Sequence, residues 1–269
     1  HYAWSDADAR HVLERNPAHC AFESVGARMI HWWAACYART GDEKCLDYAQ
    51  RMTDKWRPVQ HPESGLVPDF FGAVASQPGA PMPPGEWTEC RGASLASLAY
   101  LDAAAELQAR EGGAALSRQL SELAERMALG VARNSYDGER RLFIEHLQLD
   151  GKPYASAARY TFHTQAEKDE AVKRDPLMAE ASVYMGTGLY RNPSYWEHCA
   201  GTSMVYELSE VARITKNREL IERCGRMVND ARDESRKQSG PFTEDGCWTF
   251  RASGHYIKAA VSLYRATND

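Results

Sequence analysis

Residues 37–56, "YARTGDEKCLDYAQRMTDKW", align without a gap on residues 212–231, "ARITKNRELIERCGRMVNDA". Thr40 falls on Thr215, Asp42 on Asn217, Leu46 on Ile221, and Arg51-Met52 on Arg226-Met227. Each copy reads as helix, tight turn, helix. Asp42 and Asn217 stand where a short side-chain oxygen accepts from the free amides that open a helix. Apolar residues then recur at helical spacing, as Leu46, Ala49, Met52 and Trp56 in one copy and Ile221, Cys224, Met227 and Val228 in the other. A third copy starts in "GHYIKAAVSLYRATND", with Thr267 and Asp269 in the places of Thr40 and Asp42.

Between the copies, "GASLASLAYLDAAAELQAR" (92–110) and "ALSRQLSELAERMALGVARN" (115–134) form another helical pair across Gly112-Gly113. The region 139–162 instead alternates apolar and polar residues around Asp150-Gly151, which predicts a β-hairpin insertion over 141–162. Helical patterning resumes near Asp175, where Pro176 suits a first helical turn. Pro- and Gly-rich stretches at 57–91 and 239–254 read as long connections, which in compact domains commonly carry function.

Composition narrows the function classes. The 269 residues make a sizeable core, and a net charge of −5 argues against a nucleic-acid binder, which shows a basic face to phosphates. No stretch approaches the length of apolar sequence that a membrane span needs. Seven dispersed cysteines without CxxC spacing favour buried thiols over a disulfide framework or structural zinc. No GxGxxG, Walker A, HExxH or GxSxG elbow is present, which speaks against nucleotide, zinc-protease and serine-hydrolase chemistry. The compartment stays open between periplasmic or secreted after processing and cytoplasmic.

Recurring helical hairpins of roughly 50 residues with long loops at one end describe a curved or closed helical array. The phrasing of "YARTGDEKCLDYAQRMTDKW" and "LYRATND" resembles the (α/α) toroids of the six-hairpin glycosidases and toroidal polysaccharide lyases, across most of the chain. The resemblance implies an all-α fold, an (α/α) toroid of helical hairpins forming a single domain over 1–269. A full toroid takes roughly twelve helices and the patterning supplies about nine or ten, so the toroid reads as incomplete at one or both ends. A processed chain, or a second chain or oligomer completing the ring, accommodates that shortfall.

In such toroids the substrate lies between long loops and the starts of inner helices, and the candidate residues fall there. The helix "RMIHWWAACYART" places Trp32 and Trp33 about 100° apart, so one indole is core and the other, Trp32, is free to floor a sugar site. The stretch "HPESGLVPDFFG" holds His61, Glu63 and Asp69 on a loop stiffened by prolines, and it is similar to the loop after an early helix in uronate-lyase-like toroids. "PPGEWTECRGASLAS" sets Glu86, Trp87, Glu89 and Arg91 before a helix whose amino end favours anions, where Arg91 suits a uronate carboxylate or pairs with Glu89. "RNPSYWEHCAGTSMVYELSEV" places Tyr195, Trp196, Glu197 and His198 ahead of a helix, and by the repeat register Tyr206 stands where His31 does. The late loop "PFTEDGCWTFRASGHY" adds Trp248, Arg251, His255 and Tyr256.

Aromatic rings beside charged groups suit carbohydrate, whose apolar faces pack on indoles. The leading expectation is a polysaccharide lyase acting on a uronic-acid-containing glycan by β-elimination. Its catalytic groups are drawn from His198, Arg91, Tyr195, His61 and His255, with Trp32, Trp87, Trp196, Trp248, Tyr256, Arg251, Glu197 and Asp69 binding substrate. The alternatives are a glycoside hydrolase or sugar epimerase using a carboxylate or histidine pair, and a non-catalytic glycan-binding scaffold. The sequence assigns no certain cofactor, and a divalent metal ion stays open, since histidines and carboxylates of the loops could hold one for the lyase reaction.

Overall fold

The computed structural model describes residues 23–69, 87–139, 142–144, 146–153, 161–162, 165–174, 182–183, 193–237 and 247–267. Most of these are helical: α1 (Glu23–Thr40), α2 (Glu43–Trp56), α3 (Cys90–Leu107), α4 (Ala114–Asn134), α5 (Gln165–Arg174), α6 (Pro193–Thr215), α7 (Arg218–Lys237) and α8 (Cys247–Thr267).

The hairpin repeat is built as its sequence directs. Asp42 accepts from the Lys44 amide at 3.0 Å, and Asn217 Oδ1 accepts from the Leu220 amide at 3.1 Å, so each caps the helix that follows it. Thr40 and Thr215 repeat one bonding pattern. Each hydroxyl donates to the carbonyl four residues back, at 2.8 and 2.9 Å, and accepts from the amide two residues ahead, at 3.1 and 3.3 Å. The residue between threonine and cap turns left-handed in both, Gly41 at φ 74° and Lys216 at φ 56°. Glycine adopts that conformation without cost, whereas Lys216 carries a side chain through it. Lys216 is used there: its Nζ donates to the Arg265 and Ala266 carbonyls, both at 3.1 Å, and so caps the end of α8. Arg110, just past α3, caps α1 in the same manner through a 2.9 Å bond from Nε to the Ala38 carbonyl.

These helices pack in two layers. In one, α1 lies beside α3, α3 beside α6, and α6 beside α8; in the other, α2 backs α1, α4 backs α3, and α7 backs both α6 and α8. Helix α3 is pressed between α1, α4 and α6, and beside Tyr100, Leu101 and Leu107 it buries many small residues, among them Ala93, Ser94, Ala96, Ser97, Ala103 and Ala104. Small side chains let the axes approach, and the Ser94 and Ser97 hydroxyls donate to carbonyls one turn back, so neither is stranded. Close approach also explains Gly26 on α1, where an added Cβ would stand 2.7 Å from Trp56 Nε1. The continuous core holds Ile30, Tyr37, Met52, Trp56, Leu120, Met127, Leu208 and Met227, all buried. Cys224 belongs to it too, and burial pushes its thiol up to about 12.

The β structure departs from the expected hairpin over 141–162. The turn at Asp150-Gly151 forms, with Gly151 at φ 91° and a bridge from Leu147 to Pro153. However, strand β4 (His146–Gln148) pairs antiparallel with β1 (Trp87–Glu89), the segment leading into α3. Strand β3 (Leu142–Phe143) pairs back with β2 (Tyr136–Asp137), and β5 (Thr161–Phe162) lies parallel to β6 (Ser182–Val183). Alternation alone does not choose a partner, and β1, remote in sequence, offered the edge.

Helix α5 lies at Gln165–Arg174, while Asp175 and Pro176, where the sequence placed a helical start, lie outside the described residues. Two further expectations change. Tyr195 to His198 belong to the first turns of α6, which starts at Pro193, rather than to a lead-in. Proline supplies the fixed φ and needs no amide partner at that position. Likewise Trp248, Arg251, His255 and Tyr256 stand within α8, with Gly254 absorbed inside the helix. Among the described residues no helix is long and apolar enough to cross a membrane.

Candidate functional site

The site grows from the junction where α1 begins, the 57–69 loop ends and β1 feeds α3. The Glu23 amide donates to the Asp69 carbonyl at 2.8 Å, and the Asp69 amide donates to the Trp87 carbonyl at 3.0 Å. Backbone bonds therefore stitch three segments distant in sequence into one floor. Trp87 stands edge-on to His146 across the β1–β4 ladder, ring centroids 5.1 Å apart. Glu89 occupies the cap position of α3 without a side-chain capping bond. Its Oε2 and Asp69 Oδ1 converge on Gly92, since a Cβ there would lie 3.2 and 3.3 Å from them. Glycine at 92 thus leaves room for two carboxylates on the same few ångströms of backbone.

A third carboxyl comes from α6. Glu207 is 7% exposed, its Oε1 accepts from Ser203 at 3.2 Å, and its Oε2 is buried with no hydrogen-bond partner. Burial drives its pKa up to about 7, opposed by the Ser203 bond and the charges of Arg91 and Arg28, and supported by Glu89. A carboxyl raised toward neutrality is suited to act as a general acid or base. Arg28 and Arg91, whose charges act on this carboxyl, are both exposed.

Deeper in the same junction lie Glu23, 1% exposed, and Tyr100, 0% exposed. Burial, and then the Asp69 charge, holds the Glu23 carboxyl well above the ordinary range. Burial and Glu23 in turn raise the Tyr100 phenol.

A second polar band runs beside this cluster. Tyr206 and His255 rings lie 6.2 Å apart, and Lys258 Nζ stands 5.3 Å from the Tyr206 ring centre. Glu210 pairs with Arg213 at 2.8 Å and accepts from the Ser262 hydroxyl. Asp102 of α3 has a raised pKa from burial, offset by His31 and reinforced by Glu210. Tyr206 is raised by burial and then by Glu210 and Glu207, which joins the band to the carboxylate cluster. His31 acts on Asp102 and Asp102 in turn raises Tyr206, so the two residues matched by the repeat register face the same carboxyl group.

The sequence candidates divide accordingly. Asp69, Arg91, Trp87 and Glu89 come together, and the alternative of a Glu89–Arg91 ion pair is not formed. His255 joins the second band, with Tyr256 beside it on α8. Trp32 is 63% exposed while Trp33 packs on Tyr48 and Tyr37 is buried, so one indole of the pair is indeed outward. His61 does not join the carboxylates: its Nδ1 accepts from the Ser64 amide at 3.2 Å, so it braces its own loop. The side chains of Tyr195, Trp196, Glu197, His198, Trp248 and Arg251 lie outside the described residues, as does Glu86.

Sequence reasoning missed Glu23, Arg28, Tyr100, Asp102, His146 and Glu207. Glu207 had a readable signal, since it interrupts the buried run Met204, Val205, Leu208, Val211 with an acid. Among the described residues no group of three or more His, Cys, Asp or Glu is arranged to hold a metal ion. No protein-family model matches the chain, and no curated protein matches it in sequence.

Proposed function

We propose that the chain is a carbohydrate-active enzyme on an (α/α) toroid-type framework of helical hairpins, acting through carboxyl acid–base chemistry as a glycoside hydrolase does. The observation that carries this reading is Glu207, a buried carboxyl titrating near 7 beside the Asp69–Glu89 pair at Gly92. Glycosidic bond hydrolysis asks for one carboxyl that keeps its proton and another that is ionised, and environments that separate their pKa values provide both. In this reading Glu207 protonates the leaving oxygen. Glu89 or Asp69 is the ionised partner, and Trp87 with Trp32 offers apolar faces to the sugar.

Cleavage of a uronate glycan by β-elimination remains the second reading, favoured by a separate observation. Tyr206 and His255 stand together near Arg213, while Arg28 and Arg91 flank Glu207. Such a set offers a proton-transfer pair and cations for a uronate carboxylate.

Products separate the two. Neutral and uronate glycans are incubated with the protein, and new reducing ends without ultraviolet absorbance mark hydrolysis, whereas an unsaturated uronide absorbing in the ultraviolet marks elimination. Under the first reading Glu207→Gln lowers kcat about 10²- to 10⁴-fold, the span of one acid–base group. Glycan binding with no product from any of these polymers would leave a binding scaffold and sink both.

A further inference from the structure

Ile257, Val261 and Tyr264 share one side of α8 by their helical spacing, and they are 65, 42 and 61% exposed. Counted back from the turn threonine, they match Ile30, Ala34 and Tyr37 of α1 and Val205, Ser209 and Ala212 of α6. All of those counterparts are buried. Helix α1 shows the reverse. Val25 and Trp32, two turns apart on one stripe, are exposed there, whereas the counterparts of Trp32, Glu207 on α6 and Ala259 on α8, are buried. Place in the layer accounts for the difference. Helix α6, with α3 on one side and α8 on the other, covers both stripes. Helices α1 and α8, which end the layer among the described residues, each cover one stripe and expose the opposite one. Contiguous exposed apolar side chains of this kind mark an interaction surface.

We infer that the chain assembles head to tail with a second copy of itself, α1 of one copy taking the place beside α8 of the other. Val25 and Trp32 then meet Ile257, Val261 and Tyr264, and both end helices become interior members of the layer, as α6 is. A contact of α8 with α8 would cover one stripe and leave Trp32 outside, whereas the head-to-tail contact covers both at once. Such a contact is heterologous, so successive copies close a ring or extend a chain. The inference does not depend on the reaction proposed above; it takes Trp32 for the interface and leaves Trp87 as the indole that faces sugar.

Sedimentation velocity on the full chain, from micromolar to millimolar concentration, tests it. The mass is expected to rise with concentration above that of one chain. Val261→Glu and Trp32→Glu are each expected to weaken association by about 30-fold or more, the effect of a central interface residue. Both positions are exposed, so circular dichroism and Tm should stay at their wild-type values. Should either variant unfold, Tyr264→Lys and Val25→Lys take their places on the same stripes. Mixing decides the polarity. Val261→Glu keeps an intact α1 stripe and Trp32→Glu an intact α8 stripe, so an equal mixture forms a one-to-one pair that neither variant forms alone. A wild-type chain that stays monomeric throughout overturns the inference. So does association that survives Trp32→Glu, the mark of α8 against α8, and so does a mixture that fails to pair.

Discussion

The hairpin turns and the seam where α1, α3 and α6 meet treat polar groups in opposite ways. At the turns every device is closed on itself. Thr40 and Thr215 bond backward and forward, Asp42 and Asn217 cap, and Arg110 and Lys216 cover the carbonyls of the neighbouring helix. At the seam, Glu23, Tyr100 and one oxygen of Glu207 are buried without partners, and carboxyl groups crowd around Gly92. The turns minimise free energy locally, while the seam stores an electrostatic cost that the surrounding core must offset. Polar groups held at such a cost are where chemistry is expected, because the same desolvation that destabilises a charge moves its pKa toward the working range.

The contrast can be broken or sharpened by pH first. Glu207 has a folded pKa of about 7 against an ordinary 4.5. Its folded carboxyl therefore binds a proton more tightly than the unfolded one. The associated stability is complete below about pH 4.5 and is lost as pH rises through 7, by about 3 kcal/mol at most. Urea unfolding followed from pH 4.5 to 7.5 should show that decline, and Glu207→Gln should flatten it. A wild-type curve with no decline attributable to Glu207 would remove the seam's cost and with it the contrast.

The caps come next in size. Asp42→Ala and Asn217→Ala should each cost about 1 kcal/mol, and the double variant should show nearly the sum, since the two turns share no partner. A strongly non-additive result in denaturant titrations would mean that the two hairpins are coupled through more than their common core.

The smallest effect is expected at the Arg133–Glu219 pair, which joins α4 to α7 at 2.6 Å with Arg223 on the same carboxylate. Bonds from Arg133 and then Arg223 hold Glu219 down to about 2. A lowered pKa stabilises above about 4.5 and the gain is lost as pH falls toward 2. The pair is considerably exposed, and water screens it to under about 1 kcal/mol. Glu219→Gln should therefore shift stability slightly at low salt and not detectably in high salt.

The turns were readable from the chain because a cap, a left-handed residue and a helical period are all local rules. The asymmetry between Trp32 and Trp33 was readable for the same reason, since 100° per residue forces two adjacent indoles apart. The candidate site was readable in part. Asp69, Trp87 and Arg91 stood out on a proline-stiffened loop and a helix start, and they do meet. Glu23, an acid in the first turn of α1, and Tyr100, inside the apolar run of α3, carry no local mark of their burial in the sequence. His61 drew attention as a titratable loop residue, yet it closes its own turn. His255 stood out for the right residue type but in the wrong local setting, inside α8 rather than ahead of it.

Sequence alone determined the helix–turn–helix units, their caps and the small-residue character of α3, because those depend on neighbours within a few positions. Only the tertiary structure decided which carboxyl groups are hidden. Burial of Glu23 needs Asp69 and Tyr100 brought from two other segments, and the proton held by Glu207 needs water removed from α6 with Arg28, Arg91 and Glu89 alongside. Desolvation belongs to an assembled surface and not to any one stretch of chain, so the property that makes these residues candidates for chemistry exists only once the helices pack.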